Sequence, residues 1–163
     1  MADHGFSQHL KVLLGESVIA SSAATVGVLA FEVPVWAMFI GWISFFTRGL
    51  NLKQGTINLA CVLVGVLLGI GAAHAMGALA PRLGDYAITA VVFAITLITL
   101  SLARLAVVNN LLGFFLGLVT YFASHQPPSV STFAMLALAA TLGAAAAYLA
   151  HALQTRLLNT AAH

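Results

Sequence analysis

Six apolar runs, separated by short breaks, account for most of this 163-residue chain. Charged residues make up only 6% of it, which is too little polar surface for a water-soluble domain of this size. Four of the runs approach the roughly 20 residues that a helix needs to cross a bilayer. The pattern predicts an all-α membrane protein with one transmembrane domain over residues 1–163. The runs are Val12–Phe31, Val35–Thr47, Gly55–Leu79, Tyr86–Ala103, Leu111–Ala123 and Val130–Leu153.

The second and fifth runs are short, at about 13 residues each, so they either cross a thinned region or enter as re-entrant half-helices. The positive charges favour crossing. Six crossings place five of the six lysines and arginines on one side, whereas re-entrant segments divide them three against three. Because positive residues collect on the cytoplasmic side, we expect six transmembrane helices with both termini in the cytoplasm. The five are Lys11, Arg48, Lys53, Arg104 and Arg156, and the sixth is Arg82.

An eight-residue pattern occurs twice, 76 positions apart, in the two short runs. The segment 39–46 aligns with 115–122 without a gap, with three identical and four conservatively exchanged positions. The same frame places Thr56 on Thr132. Either the similarity is chance in an apolar chain, or the chain consists of two related halves, about 12–79 and 86–155. Since three crossings per half is an odd number, the halves would be two inverted three-helix repeats.

The paired short runs are the first candidates for a functional site, because short segments at corresponding positions in two halves often border a permeation path. Their glycines remove a side chain, so another backbone can approach, and their aromatic rings could constrict a pore that passes small neutral molecules. The alternative is that these rings face lipid or supply packing area. The candidate constriction residues are Phe39, Gly41, Phe46, Phe115, Gly117, Tyr121 and Phe122.

Glu16 is the only acidic residue clearly inside an apolar run, and an intramembrane carboxylate indicates a functional site. It could act as a gate or bind a proton or cation, or it could reach the interface at the helix end. Ser17, Ser21 and Thr25 follow at four-residue spacing and form one polar stripe, which either lines an aqueous path or bonds back to its own helix. In the six-span topology His151 lies at the same membrane face, so a pH-sensitive Glu16–His151 contact is possible.

Catalytic and cofactor signatures do not occur in the sequence. It has no nucleophile elbow, no phosphate-binding loop, no zinc-ligand spacing and no close carboxylate pair. We therefore expect no enzyme, no metal and no cofactor. The net charge of +2 is too small to indicate nucleic-acid binding.

The length, the spans and the doubled aromatic–glycine pattern resemble the YcdZ-like family of small bacterial inner-membrane proteins of unknown function. The resemblance covers roughly Val12 to Leu153 and implies a compact multi-spanning protein of the bacterial inner membrane. It brings no substrate and no catalytic residues. The six-pass layout is also similar to that of the urea/amide channel family, although no signature of that family is present.

Three functions are compatible with this sequence. The favoured hypothesis is a passive channel for a small, weakly polar solute, formed within each subunit of a homo-oligomer in membrane lipid. A proton- or cation-coupled transporter that uses Glu16 is the second. A non-transporting scaffold or regulator is the third, and the short loops disfavour it because they offer little surface to a partner. The scarcity of buried charge favours the channel over the coupled carrier.

Overall fold

The computed structural model describes the backbone of residues 2–160 and the side chains of residues 8–159, and every regular element in that part of the chain is helical. The all-α prediction is therefore confirmed for the described residues. Six α-helices occur, with a single 3₁₀ turn, Gly84–Tyr86, between the third and fourth. They are α1 (Ala2–Phe31), α2 (Val35–Phe46), α3 (Leu52–Leu83), α4 (Ala87–Leu102), α5 (Leu111–Ala123) and α6 (Val130–Thr160).

Three helical stretches are long and apolar enough to cross a membrane, judged by length and composition: Gln8–Phe31, Leu52–Leu102 and Val130–Asn159. The second stretch contains α3, the 3₁₀ turn and α4. The helices α2 and α5 are apolar but have only 12 and 13 residues. The outer surface is apolar as well, since Leu29 is 79%, Phe93 71% and Val130 85% exposed. Such a surface is suited to lipid and would be an aggregation hazard in water.

Each short helix packs along a long helix that is distant in sequence. The helix α2 lies against α6, and α5 lies against α3. Gly41 meets Ala140 while Phe45 meets Tyr148, so α2 and α6 run parallel. Similarly, α5 and α3 run parallel, because Gly113 meets Cys61 and Tyr121 meets Gly69. The helix α1 also contacts α6, and α4 also contacts α3, so each of these two long helices packs against one short helix and one further helix.

Glycines allow these close crossings. A Cβ atom added at Gly41 would lie 1.9 Å from the carbonyl oxygen of Ala140, and one added at Gly117 would lie 2.0 Å from that of Val62. The long helices contribute Gly143 and Gly65, which meet the carbonyl oxygens of Met38 and Phe114 in return. Small residues at membrane-helix crossings let the backbones come close enough for dispersion forces to hold the pair together.

The burial patterns of corresponding helices coincide. Each of the five buried residues of α2 has a buried counterpart 76 positions further in α5. In α3 and α6 the patterns coincide at a spacing of 78, where seven of the eight buried residues of α3 have buried counterparts. The predicted pairing of Thr56 with Thr132 is therefore wrong, since Thr56 is exposed and Thr132 is buried. The shift of two arises because α5 and the loop after it are each one residue longer than α2 and its loop.

Candidate functional site

A buried polar cluster lies where α2 ends, α3 begins and α5 begins. We call it the amide cluster and define it as Thr47, Asn58 and Asn110. Asn58 is fully buried and Asn110 is 6% exposed, although both occur among apolar helices. Burying an amide without hydrogen bonds costs several kcal/mol in an apolar medium, so the partners of these groups decide what the cluster can do.

The amide side chains are joined to each other and to the ends of both short helices. Asn110 Nδ2 donates hydrogen bonds to Asn58 Oδ1 at 2.8 Å and to Thr47 Oγ1 at 2.6 Å. Asn58 Nδ2 donates to the carbonyl oxygen of Arg48 at 2.9 Å, which lies just beyond the end of α2. Asn110 Oδ1 accepts from the backbone N–H of Gly113 at 3.1 Å and so caps the N-terminus of α5.

A second layer of polar side chains closes the cluster toward the loop side. The guanidinium of Arg48 donates through Nε and Nη2 to Gln54 Oε1, at 3.2 and 2.9 Å, and through Nη1 to Asn109 Oδ1. Asn51 in turn caps α3 by accepting from the backbone N–H of Gln54 at 3.0 Å. The positive charge of Arg48 therefore lies on the outer side of the amide cluster, where the side-chain amides of Gln54 and Asn109 hold it.

The chemistry of this site is that of a neutral, internally hydrogen-bonded cluster. It consists of amide N–H donors, amide oxygens and one hydroxyl, and it has no ionised group in its buried layer. Such groups suit a small uncharged solute with both donors and acceptors, because that solute can exchange hydrogen bonds with the amides at small net cost. Within residues 8–159, no group of three or more His, Cys, Asp and Glu side chains could hold a metal ion.

The corresponding place between α6 and α2 is apolar. Leu136 is the counterpart of Asn58 at the 78-residue spacing, and it is likewise fully buried. Pro34 precedes α2 where Asn110 precedes α5, and Leu136 packs in a core cluster with Val33, Ala37 and Met38. The two ends of the bundle core therefore differ in polarity although their helices correspond.

The predicted aromatic constriction does not form inside one chain. Phe39, Phe46, Phe115 and Phe122 are 45%, 43%, 38% and 42% exposed and lie on the outer surface of the bundle. The period of each short helix explains this, because its glycine face is turned to a long helix and the opposite face bears the phenylalanines.

The glycines of the predicted constriction contact the long helices and not each other. Gly41 is buried against α6, and Gly117 is buried against α3. Tyr121 is also buried, and its side chain covers Gly69. Gly41 and Gly117 therefore permit a close backbone approach, as expected, and the approaching backbones are those of α6 and α3.

The predicted polar stripe on α1 bonds to its own helix. Ser17, Ser21 and Thr25 are exposed and donate to the carbonyl oxygens of Leu13, Val18 and Ser21, respectively. Their hydroxyls are thus satisfied within α1, which is the second of the two readings that the sequence left open.

Glu16 and His151 are both half-buried, and no hydrogen bond or ion pair joins them among the described side chains. The His151 ring lies 6.0 Å from that of Phe45, centroid to centroid, and its buried Nδ1 has no hydrogen-bond partner there. The predicted pH-sensitive contact between Glu16 and His151 therefore has no hydrogen bond or ion pair to support it in the described part of the chain.

Sequence reasoning missed the amide cluster. One signal could have found it, because Asn58 is the only asparagine inside any of the six apolar runs. The segments before α3 and α5 are breaks between apolar runs, so the sequence predicts only that Arg48 and Asn110 lie in loops. Only the packing of α5 on α3 brings residues 52 positions apart into one hydrogen-bonded cluster.

Comparison with known proteins places the chain in a family. Residues 14–151 match the profile of a family described as "Protein of unknown function (DUF1097)". The match covers most of the chain, which therefore belongs to this family. No curated protein and no solved structure matches it. The resemblance to the YcdZ-like family stays a prediction.

Proposed function

We propose that this member of the DUF1097 family is a channel-like protein of the bacterial inner membrane that passes a small, weakly polar solute. The observation that carries the proposal is the amide cluster, a neutral polar site buried among helices of membrane composition. Polar groups inside a membrane are costly and tend to mark solute pathways. We further propose that the protein works as a homo-oligomer, with both termini in the cytoplasm.

The proposed architecture is six crossings in two inverted halves. Its support is the direction of the helices: α1, α2 and α3 alternate in direction, and α4, α5 and α6 alternate in the opposite sense. The shared burial patterns of α2 with α5 and of α3 with α6 support it further. In inverted repeats the solute site commonly lies at the repeat interface, next to short or interrupted helices. The amide cluster has that position, because it joins α3 of one half to α5 of the other.

The proposed path runs between the halves, and the described conformation is closed. On the side away from the amide cluster, Val33, Met38, Leu136 and Tyr121 belong to one buried apolar core. A solute would leave the amides only when these side chains move apart. The absence of ionised groups in the buried layer favours passive movement of a neutral molecule over movement coupled to an ion.

The amide cluster also has a structural explanation, which is that it only satisfies the ends of α2 and α5. The α6–α2 pair allows the two explanations to be separated, because it has Leu136 and Pro34 at the positions that correspond to Asn58 and Asn110. The double variant Asn58→Leu/Asn110→Pro therefore introduces the residue types that the corresponding positions, 136 and 34, already have. If the cluster is only structural, this double variant should fold and keep its permeability.

The test is solute entry into liposomes that contain the purified protein, measured by swelling with urea, acetamide and glycerol. We expect the parent to admit at least one of these solutes, and Asn58→Leu and the double variant to lower its rate tenfold or more at equal folded amounts. Thr56→Val is the matched control, since that exposed hydroxyl lies on the same helix and bonds only to the Lys53 carbonyl oxygen. Parent-like rates in both Asn58 variants, or an impermeable parent, would refute the proposal.

A further inference from the structure

A cleft lies at the opposite side of the bundle from the amide cluster, where α1 ends, α2 begins and α5 ends. Its volume is about 530 Å³. It is lined by polar and apolar groups in similar measure, including Glu32, Val33, Trp36, Ser124, Gln126 and Met135. We call it the Glu32 cleft. It is distinct from the amide cluster and shares no residue with it.

The backbone at Glu32 is held in a conformation that suits glycine. Its φ is +53°, its N–H donates to the Val28 carbonyl oxygen at 3.2 Å, and the Val33 N–H donates to that of Gly27 at 3.1 Å. The first of these bonds is the αL motif that ends a helix, in which the left-handed position is usually glycine. A glutamate there makes the fold less stable, and such strain is typically kept where the side chain has a use.

A second non-glycine residue with a positive φ lies beside the cleft. His125, between the lining residues Ser124 and Gln126, has a φ of +52°. Its counterpart 76 positions earlier is Gly49, which has a φ of +62° in the loop after α2. The two non-glycine residues with positive φ among the described residues are therefore Glu32 and His125, and both lie at the Glu32 cleft.

We propose that the Glu32 cleft binds a small organic ammonium cation. Glu32 supplies a negative charge, and no lysine or arginine lines the cleft. Trp36 is 39% exposed and offers its indole, the aromatic group that attracts cations most strongly. The Ser124 hydroxyl is fixed by donating to the Tyr121 carbonyl oxygen at 2.7 Å and accepting from the Gln126 N–H at 3.2 Å. The apolar side chains of Val33 and Met135 suit the carbon substituents of such a cation.

The inference does not depend on transport, so binding is measured on the purified protein in detergent. The probe is tetramethylammonium chloride, compared with sodium chloride at the same concentration and with urea. A ligand that binds the folded state raises the temperature of unfolding. We expect tetramethylammonium to raise it by a few degrees and to quench tryptophan emission, while sodium chloride and urea leave both unchanged.

Two Glu32 variants separate binding from folding. Glu32→Gln removes the charge and keeps the shape, and it should abolish the shift with tetramethylammonium. Glu32→Gly should abolish the shift too, while the free protein unfolds at the same temperature as the parent or higher, because glycine relieves the backbone. Asp85→Asn is the matched control, since it removes the same charge from the 3₁₀ turn on the same side of the bundle and should keep the full shift.

The tryptophans supply an independent readout. Trp36→Phe should weaken the response to tetramethylammonium several-fold, whereas Trp42→Phe, which lies outside the cleft lining, should leave it intact. The inference is overturned if the parent shows no shift with tetramethylammonium, if Glu32→Gln responds like the parent, or if urea gives the same shift. Loss of liposome permeability in the Asn58 variants would leave each of these binding results unaffected.

Discussion

Adding one methyl group at the glycine crossings should destabilise the bundle by an amount that follows from the structure. In Gly41→Ala the new Cβ would lie 1.9 Å from the Ala140 carbonyl oxygen, and in Gly117→Ala 2.0 Å from that of Val62. Carbon–oxygen contacts between packed helices settle at about 3.3 Å or more, so each helix pair must separate by about 1.4 Å. Overpacking costs about 1–3 kcal/mol, and because backbone atoms cannot rotate aside we expect about 2–3 kcal/mol for each substitution.

The same chain provides matched controls. An added Cβ at Gly71 or Gly77, both inside α3, would meet nothing within 4 Å. Alanine at either position should therefore leave stability unchanged or raise it by up to about 1 kcal/mol, because alanine loses less backbone entropy than glycine does in a helix. The comparison isolates the crossing from any general effect of glycine replacement.

The assay is reversible unfolding in mixed micelles with increasing sodium dodecyl sulfate, followed by circular dichroism. Gly41→Ala and Gly117→Ala should unfold at a lower detergent fraction than the parent, by similar amounts, and the two controls should not. If all four variants unfold together with the parent, the close approach of α2 to α6 and of α5 to α3 is refuted. A loss of stability in only one of the variants Gly41→Ala and Gly117→Ala would refute the equivalence of the two helix crossings.

Three further predictions concern topology, the aromatic residues and Glu16. Reporter fusions at the C-terminus and at Gly84 should report opposite sides of the membrane, and the same side for both would refute six crossings. Phe45→Ala should lower the free energy of unfolding by ~3–5 kcal/mol in the micelle assay, because that ring is only 1% exposed. Phe46→Ala should lower it by less than ~1 kcal/mol, because that ring is 43% exposed. Equal losses of stability in the two variants would contradict this packing. Glu16→Gln should leave the rate of solute entry and its pH profile unchanged, and an altered profile would favour the coupled transporter.

Much of the fold could be predicted from the apolar runs. The structure places α2 at 35–46 and α5 at 111–123, within one residue of the predicted segments. The long helices were harder to delimit, because hydrophobicity marks the apolar part of a helix and not its hydrogen-bonded ends. Thus α3 begins at Leu52, directly after its cap Asn51, and continues through Pro81 to Leu83. Gly84 follows with a φ of +53°, which suits a helix end.

The placement of the candidate site could not be predicted in the same way. An apolar run with phenylalanine on one face and glycine on the other does not reveal which face is turned inward, since both suit a membrane. The structure turns the glycines in and the phenylalanines out. Similarly, the hydrogen bond between Asn58 and Asn110 depends on α5 packing on α3, which no local pattern specifies.

The α3–α5 pair and the corresponding α6–α2 pair differ in how closely a third helix packs against them. On one side, Ala20, Ala23 and Ala24 of α1 fit α2 and α6 so closely that a gap of about 10 Å³ remains. On the other side α4 leaves an apolar groove of about 550 Å³ against α3 and α5. Buried amides replace aliphatic side chains in that same α3–α5 pair. The α3–α5 pair therefore has both the looser neighbouring helix and the polar core, so the motion needed to open the proposed path is expected there, with α1, α2 and α6 as the rigid support.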